Sequence, residues 1–177
     1  MKTRLRLPAA AVRIVLLALL VYVADQVTKL LVLRLLSYAD QRIVIDGFFK
    51  FVHWGNTGAA WSLFYGNNTL LAVISVFAVI VLLATQKQFQ VQRRICQIAY
   101  GLIYGGILGN LTDRLRIGHV IDFFRFYLHP RGGDGEVGFP AFNIADSAIC
   151  VGVFLLFWVS WRKETGAAPS SRSVVAG

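Results

Sequence analysis

The sequence predicts an all-α integral membrane protein: four transmembrane helices, both termini cytoplasmic, and a small β-structured segment on the opposite face. Three observations predict it. The 177 residues are 56% hydrophobic and only 15% charged, with mean hydropathy +0.62, which leaves too little polar surface for a soluble domain of this length. The apolar residues are blocked, in four runs long enough or nearly so to cross the roughly 30 Å hydrocarbon layer, which takes about 20 helical residues. Unbalanced cations fall on alternate connections only.

The first run lies at about 12–33. Lys2, Arg4, Arg6 and Arg13 precede or open it with no acid among them. A basic start and an apolar stretch from Ile14 to Ala24 resemble a signal peptide. However, Tyr22-Val23-Ala24 is a poor cleavage site and the apolar pattern resumes after Lys29 as LLVLRLL, so an uncleaved first helix is expected. Segment 34–67 balances Arg34, Arg42 and Lys50 against Asp40 and Asp46. Within it, residues 43–64 are β-branched, aromatic and punctuated by glycines at 47, 55 and 58, which predicts short strands and turns at the membrane surface. Trp54, Trp61 and Tyr65 suit the interfacial aromatic belt.

A second run at about 69–86 is followed by a turn with Lys87, Arg93 and Arg94 and no acid. The third, at about 96–112, is the least apolar; Gly101, Gly105 and Gly109 recur every four residues on one face and allow close helix packing. Segment 113–142 balances Arg114, Arg116, Arg125 and Arg131 against Asp113, Asp122, Asp134 and Glu136, and its RGGDGEVGFP stretch reads as a flexible connection. The fourth run, at about 144–161, ends in Arg162 and Lys163. Residues 1–163 form one membrane-embedded unit on this reading, and 164–177 a disordered tail.

Several function classes drop out. The net charge of +9 is a topology signal, so no nucleic-acid partner is expected. Cys96 and Cys150 fall in different spans without a CxxC and read as small buried hydrophobes. His53, His119 and His129 lack metal-ligand spacing and are placed at the surface of loops. There is no phosphate-binding glycine loop, and no local motif supports pairing Lys29 with Ser62 or Ser147.

What remains are ionisable groups in or at the edge of the spans, each costing roughly 2.5–3.5 kcal/mol or more at the bilayer centre. Asp25 and Lys29 stand four apart, acid first, as a self-neutralising pair or as a lysine that orients substrate or headgroup. Asp113 and Arg114, with Asn110 one turn earlier, would tie the end of the third helix to a neighbouring loop. Asp122 and Asp146 have no cation at helical spacing, yet the four-span topology puts both on the non-cytoplasmic side. Two carboxyls at one site share a proton and can activate water for attack on an amide. Equally, Asp146 could merely cap its helix, where negative charge suits the dipole. The residues by themselves leave these two readings open.

The stretches DQVTK (25–29), NTGAAWSL (56–63), GGILGNLTDRLRIGHVIDFF (105–124) and FNIADSAICVG (142–152) together resemble the bacterial lipoprotein signal peptidases, the type II signal peptidases, in their order and in the size of the chain. The resemblance implies an aspartic endopeptidase of the inner membrane. It would cut prolipoproteins just before a cysteine bearing a diacylglyceryl group, at the periplasmic face. It implies Asp122 and Asp146 as the catalytic dyad. Asp25, Lys29, Asn56, Gly58, Gly109, Asn110, Asp113, Arg114, Asn143 and Ala145 match the supporting positions. It further implies a small β-structured periplasmic cradle over about 43–64 and a mobile periplasmic loop over about 125–140 that closes against it. No metal or cofactor is expected; the partners are the prolipoprotein and membrane lipid, and the chain is taken as a monomer. The competing classes are a small proton-coupled transporter using the buried carboxylates, and a scaffold whose glycine face drives assembly. Inverted repeats and broken helices would favour transport, and neither is visible.

Overall fold

In the computed structural model, residues 8–58, 66–86, 91–130 and 135–165 are described, with side chains to Arg162. Trp61, Tyr65, Lys87 and the tail from residue 166 therefore lie outside the described residues, as do positions 131–134 of the connection before the fourth helix. Eight elements follow in order: α1 (Ala9–Leu35), β1 (Gln41–Ile45), β2 (Phe49–Asn56), α2 (Asn68–Thr85), α3 (Arg94–Ile117), β3 (Val120–Leu128), β4 (Val137–Gly138) and α4 (Ile144–Thr165). All four helices are long and apolar enough to cross a membrane.

They divide the work unequally. In α3, 67% of the spanning window is buried inside the protein, against 22% for α1 and 11% for α2 and α4. The least apolar run is thus the central helix, and the lipid-facing ones carry exposed Leu16, Leu20, Phe77 and Phe157. The glycine ridge explains why α3 can be central. A Cβ placed on Gly105 would fall 2.6 Å from the Ala18 carbonyl oxygen, and one on Gly101 2.8 Å from the Leu17 Cβ. Gly109 meets Asp25 in the same way, so Leu17, Val21 and Asp25 of α1 step along Gly101, Gly105 and Gly109 of α3 four residues at a time. The two helices therefore run parallel, in close backbone contact that only small residues permit. On its other side Gly106 faces the Ala145 carbonyl of α4, while Gly152 of α4 faces Ile103 and the Ala99 carbonyl of α3.

Helix α3 runs five residues beyond the expected end at 112, because TDRL continues the helical pattern and Gly118, at φ 78°, supplies the left-handed terminus. A strand the sequence reading passed over begins two residues later. β3 pairs antiparallel with β2 in a four-stranded sheet of order β1-β2-β3-β4. Its register sets Asp122 opposite Trp54 and Val120 opposite Asn56. On one face Phe49, Phe51, Phe124 and Phe126 form an aromatic ladder with Phe142. Ile121 and Phe123 bury against Val32 of α1, with Leu36, Phe51, Phe124 and Ile144 packed around them, which seats the sheet on the helix ends.

The stretch 125–140, read from sequence as flexible, carries the end of β3 and the short β4, paired as Tyr127 with Gly138 and Leu128 with Val137. Lys50, 2% exposed, holds this part down: its Nζ donates to Gln41 Oε1 at 2.7 Å and to Glu136 Oε2 at 2.5 Å, 4.4 Å above the Tyr127 ring. His53, expected at the surface, is buried on β2 with its ring Nδ1 3.1 Å from the Leu36 carbonyl, because β2 rather than a loop occupies that stretch. Cys96 is buried and Cys150 is on an exposed face of α4.

Candidate active site

The C-terminal ends of α1 and α3 meet the N-terminal ends of α2 and α4 beneath the sheet. Asn68 at the start of α2 donates to the Arg114 carbonyl at 3.0 Å, and the Ala145 amide at the start of α4 donates to Asp25 Oδ1 at 3.0 Å. Every polar residue singled out in the spans converges here. Asp25 and Lys29 stand four apart on α1 and Asn110 and Asp113 three apart on α3, so each pair shares a helix face, and the parallel register of α1 and α3 brings the two faces together.

At the bottom lies Lys29, 2% exposed. Its Nζ is 2.8 Å from Asp25 Oδ2 and 2.7 Å from Asp113 Oδ2, and donates to Asn110 Oδ1 at 2.9 Å. The pair read from sequence is thus a triad with a second carboxylate from α3. That composition lets a lysine survive in the membrane: all three ammonium donors are used, two of them on charge. Gln26, which sequence reasoning missed, donates Nε2 to Asp25, to the Gly109 carbonyl and to Asp113 Oδ1 at 3.0–3.2 Å. Its signal was weak, a neutral polar residue beside a conspicuous ion pair. Asp113 also accepts the Ile121 amide at 3.3 Å, which ties the end of α3 to β3.

Above this base stand two asparagines. Asn110 Nδ2 donates to Asp146 Oδ1 at 2.7 Å while its Oδ1 accepts from Lys29 and from Asn143 Nδ2. With the oxygen held by two donors, the amide has one orientation, its NH2 toward Asp146. Asn143, fully buried, is the hub. Its Nδ2 donates to Asp122 Oδ1 at 2.9 Å and its backbone amide to Asp146 Oδ2 at 3.2 Å. Its Oδ1 accepts the Asp146 amide at 2.9 Å. The last two contacts form a reciprocal capping box, with Asn143 at the N-cap and Asp146 three residues on.

Asp122 enters from the sheet and is 3% exposed. Its Oδ2 accepts Asn56 Nδ2 at 2.9 Å. Asn56 Oδ1 in turn accepts the Gly58 amide at 2.9 Å, and Arg114 Nη2 donates to the Gly58 carbonyl at 3.2 Å, so α3 clamps the turn that presents Asn56. Burial pushes the Asp122 carboxyl up to about 7, the negative charge of Asp146 adds to the rise, and the Asn56 and Asn143 hydrogen bonds and the positive charge of Lys29 oppose it. Each member of the sequence-derived set lies in this cluster: Asp25, Lys29, Asn56, Gly58, Gly109, Asn110, Asp113, Arg114, Asp122, Asn143, Ala145 and Asp146. Gly109 and Ala145 serve by being small, since a Cβ on Gly109 would meet Asp25 Oδ2 at 2.5 Å and Ala145 Cβ at 3.4 Å. Among the described residues no group of three His, Cys, Asp or Glu side chains could hold a metal ion.

Two carboxyls bridged by one amide, one of them a proton carrier near neutral pH, can divide acid and base roles over a polarised amide bond. The family described as signal peptidase (SPase) II matches residues 17–162. The chain is 39% identical over 150 residues to a lipoprotein signal peptidase of Geobacter sulfurreducens, spanning 83% of this chain and 90% of that protein. Against the lipoprotein signal peptidase of Aeromonas hydrophila it is 40% identical over 152 residues, spanning 84% and 87%. Two solved structures, both described as a bacterial membrane enzyme, are similar in fold. One gives TM-score 0.75 at 32% identity over 89% of this chain and 92% of the other. The second gives 0.68 at 34% over 83% and 91%.

Proposed function

The chain belongs to the signal peptidase II family, and from that membership we propose that Asp122 and Asp146 are the catalytic pair of an intramembrane aspartic endopeptidase. The observation that carries the assignment is Asn143, whose side-chain amide holds Asp122 and whose backbone amide holds Asp146. The substrate is a prolipoprotein with a diacylglyceryl-modified cysteine, its lipid chains among the helices and its scissile bond at the membrane surface.

Asp122 carries the proton and Asp146 is the base. Burial and the neighbouring charge favour the neutral form of Asp122 at physiological pH. Asp146 is held by two N–H donors at the first turn of α4, the Asn110 side chain and the Asn143 backbone amide, which orient it as the base. Asp146 takes a proton from water as the oxygen attacks the scissile carbonyl, and Asp122 gives its proton to the carbonyl oxygen. In the collapse, Asp146 returns its proton to the leaving amide nitrogen and Asp122 recovers one from the hydroxyl. The sum is hydrolysis, with both carboxyls restored. Lys29 and Arg114 offset the four carboxylates of the cluster, and Asn56, Asn110 and Asn143 fix the carboxyl orientations.

Both termini and the short α2–α3 connection are cytoplasmic, following the unbalanced cations, so the site opens at the periplasmic face of the inner membrane. The chain acts as a monomer and the part before α4 closes over bound substrate. Asp122→Asn and Asp146→Asn, each correctly inserted, are expected to abolish cleavage of a diacylglyceryl-modified prolipoprotein; wild-type rates from either would overturn the assignment. Topology reporters at Lys87 and Gly133 are expected on opposite sides. Finding both on one side would refute the four-span orientation.

A further inference from the structure

The end of the bundle farthest from the carboxylates has a feature that peptide cleavage does not use. Because α1 and α3 run parallel, their N-terminal ends lie side by side, and between them opens a crevice of about 420 Å³ lined by Arg13, Leu17, Arg94, Gln97 and Ile98. Gln97, 4% exposed, is locked in place by the turn before α3. Its Nε2 donates to the Val91 carbonyl at 2.9 Å and to the Gln92 carbonyl at 3.3 Å. That leaves Oε1 to accept Arg13 Nη1 at 3.1 Å, fixing the guanidinium at the crevice wall with one of its five N–H donors. Arg94 opens α3 on the other side, and the first turns of α1 and α3 hold no acid. Beneath the two cations the wall is apolar, with Ile98 47% exposed.

We propose that this crevice binds an anionic phospholipid, with its phosphate between Arg13 and Arg94 and an acyl chain along Leu17 and Ile98. The two halves of the crevice select the two halves of that molecule. Guanidinium groups match phosphate oxygens in charge and in forked geometry, and basic pockets between transmembrane helices on the cytoplasmic side suit anionic headgroups. A zwitterionic lipid brings a cation of its own beside the phosphate and leaves the charge of the two arginines in excess, and a free anion leaves the apolar wall uncovered. The α1–α3 contact sits directly above, where Gly101 meets Leu17, so a lipid seated here braces the helix pair that builds the active site. The inference rests on the proposed orientation, with these helix ends cytoplasmic, and is independent of the dyad assignment.

The test is native mass spectrometry of the purified full-length protein released from micelles doped with phosphatidylglycerol or phosphatidylcholine, with melting followed in parallel. The wild-type protein is expected to retain one phosphatidylglycerol and to melt higher in its presence, with no such effect from phosphatidylcholine. At about 1 kcal/mol per arginine, Arg13→Gln with Arg94→Gln lowers apparent affinity roughly 10- to 30-fold. Removing exposed cations at the opposite end, Arg42→Gln with Arg116→Gln, leaves it unchanged. If the double arginine variant does not fold, the wild-type comparison of the two lipids still decides. Equal retention of both lipids, equal loss in the control variant, or displacement of the lipid by millimolar glycerol phosphate would each overturn the proposal.

Discussion

Replacing Asp122 by asparagine is expected to make the protein more stable at pH 8 and to lose that advantage at pH 5. In the native protein this carboxyl titrates at about 7, against about 3.9 in an unfolded chain. A carboxyl that binds its proton more tightly when folded contributes stability that is complete below the unfolded value and is lost as pH rises through about 7. By pH 8 the ionised group costs the fold about 4 kcal/mol; at pH 5 the cost has shrunk to about 1.5 kcal/mol. Asparagine carries no charge and escapes this term at every pH.

The substitution has a cost of its own. Both oxygens of Asp122 accept amide donors, Oδ1 from Asn143 and Oδ2 from Asn56. The new NH2 must therefore face one of them and leave a donor unsatisfied, at about 1–3 kcal/mol. The variant should then exceed the wild type by about 1–3 kcal/mol at pH 8 and stand near or below it at pH 5. The mismatch does not depend on pH, so the change in the difference, about 2.5 kcal/mol between pH 5 and pH 8, reports the carboxyl alone. The assay is reversible unfolding in detergent micelles followed by tryptophan fluorescence, wild type beside variant at several pH values. A stability difference that stays constant across that range would refute the reasoning.

Three further outcomes follow from the same contacts. Lys29→Met leaves Asp25 and Asp113 facing each other without a cation, and about 3–5 kcal/mol of stability should be lost; adding Asp113→Asn should recover part of it in the same unfolding assay. Gly105→Val drives a side chain into the Ala18 carbonyl and Val21, a loss of at least about 1–3 kcal/mol, whereas Leu20→Ala on the exposed face of α1 should change stability by no more than about 0.5 kcal/mol. Cleavage should fall as pH rises above about 7, because Asp122 then loses the proton it donates; a rate still rising through pH 9 would show that Asp122 acts in its ionised form.

The spans and the site members were legible because membranes penalise anything else. Hydrocarbon demands long apolar runs, so each surviving charge stands out, and Asp25, Lys29, Asp113, Asp122 and Asp146 could be picked out one by one. The sheet was harder to read. In VIDFFRFYL a period-two pattern is masked by consecutive aromatics, Phe123 burying toward α1 and Phe124 joining the aromatic ladder, so β3 read as an apolar connection. Lys50 was invisible for a different reason. Its partners Gln41, Tyr127 and Glu136 come from three separate segments, and no local spacing announces a site assembled by strand pairing.

On the proposed mechanism, the carboxylate that opens α4 joins two readings of one residue. From sequence, Asp146 was either a helix cap or half of a dyad. Its Oδ2 does cap the helix, in the reciprocal box with Asn143, while its Oδ1 is held by Asn110. Asn143, the residue that completes the cap, is also the one that grips Asp122. The cap thus works as a mount. A free Asp side chain samples several rotamers, and a misplacement of about 1 Å in a reacting group can cost on the order of 100-fold in rate. Fixing the carboxylate to the first turn of a helix whose own position is set by Ala145 on Asp25 removes that freedom. Asn143→Ala should therefore damage both functions together: a lower melting temperature from the lost cap, and a fall in cleavage larger than a comparably destabilising change such as Gly105→Val produces.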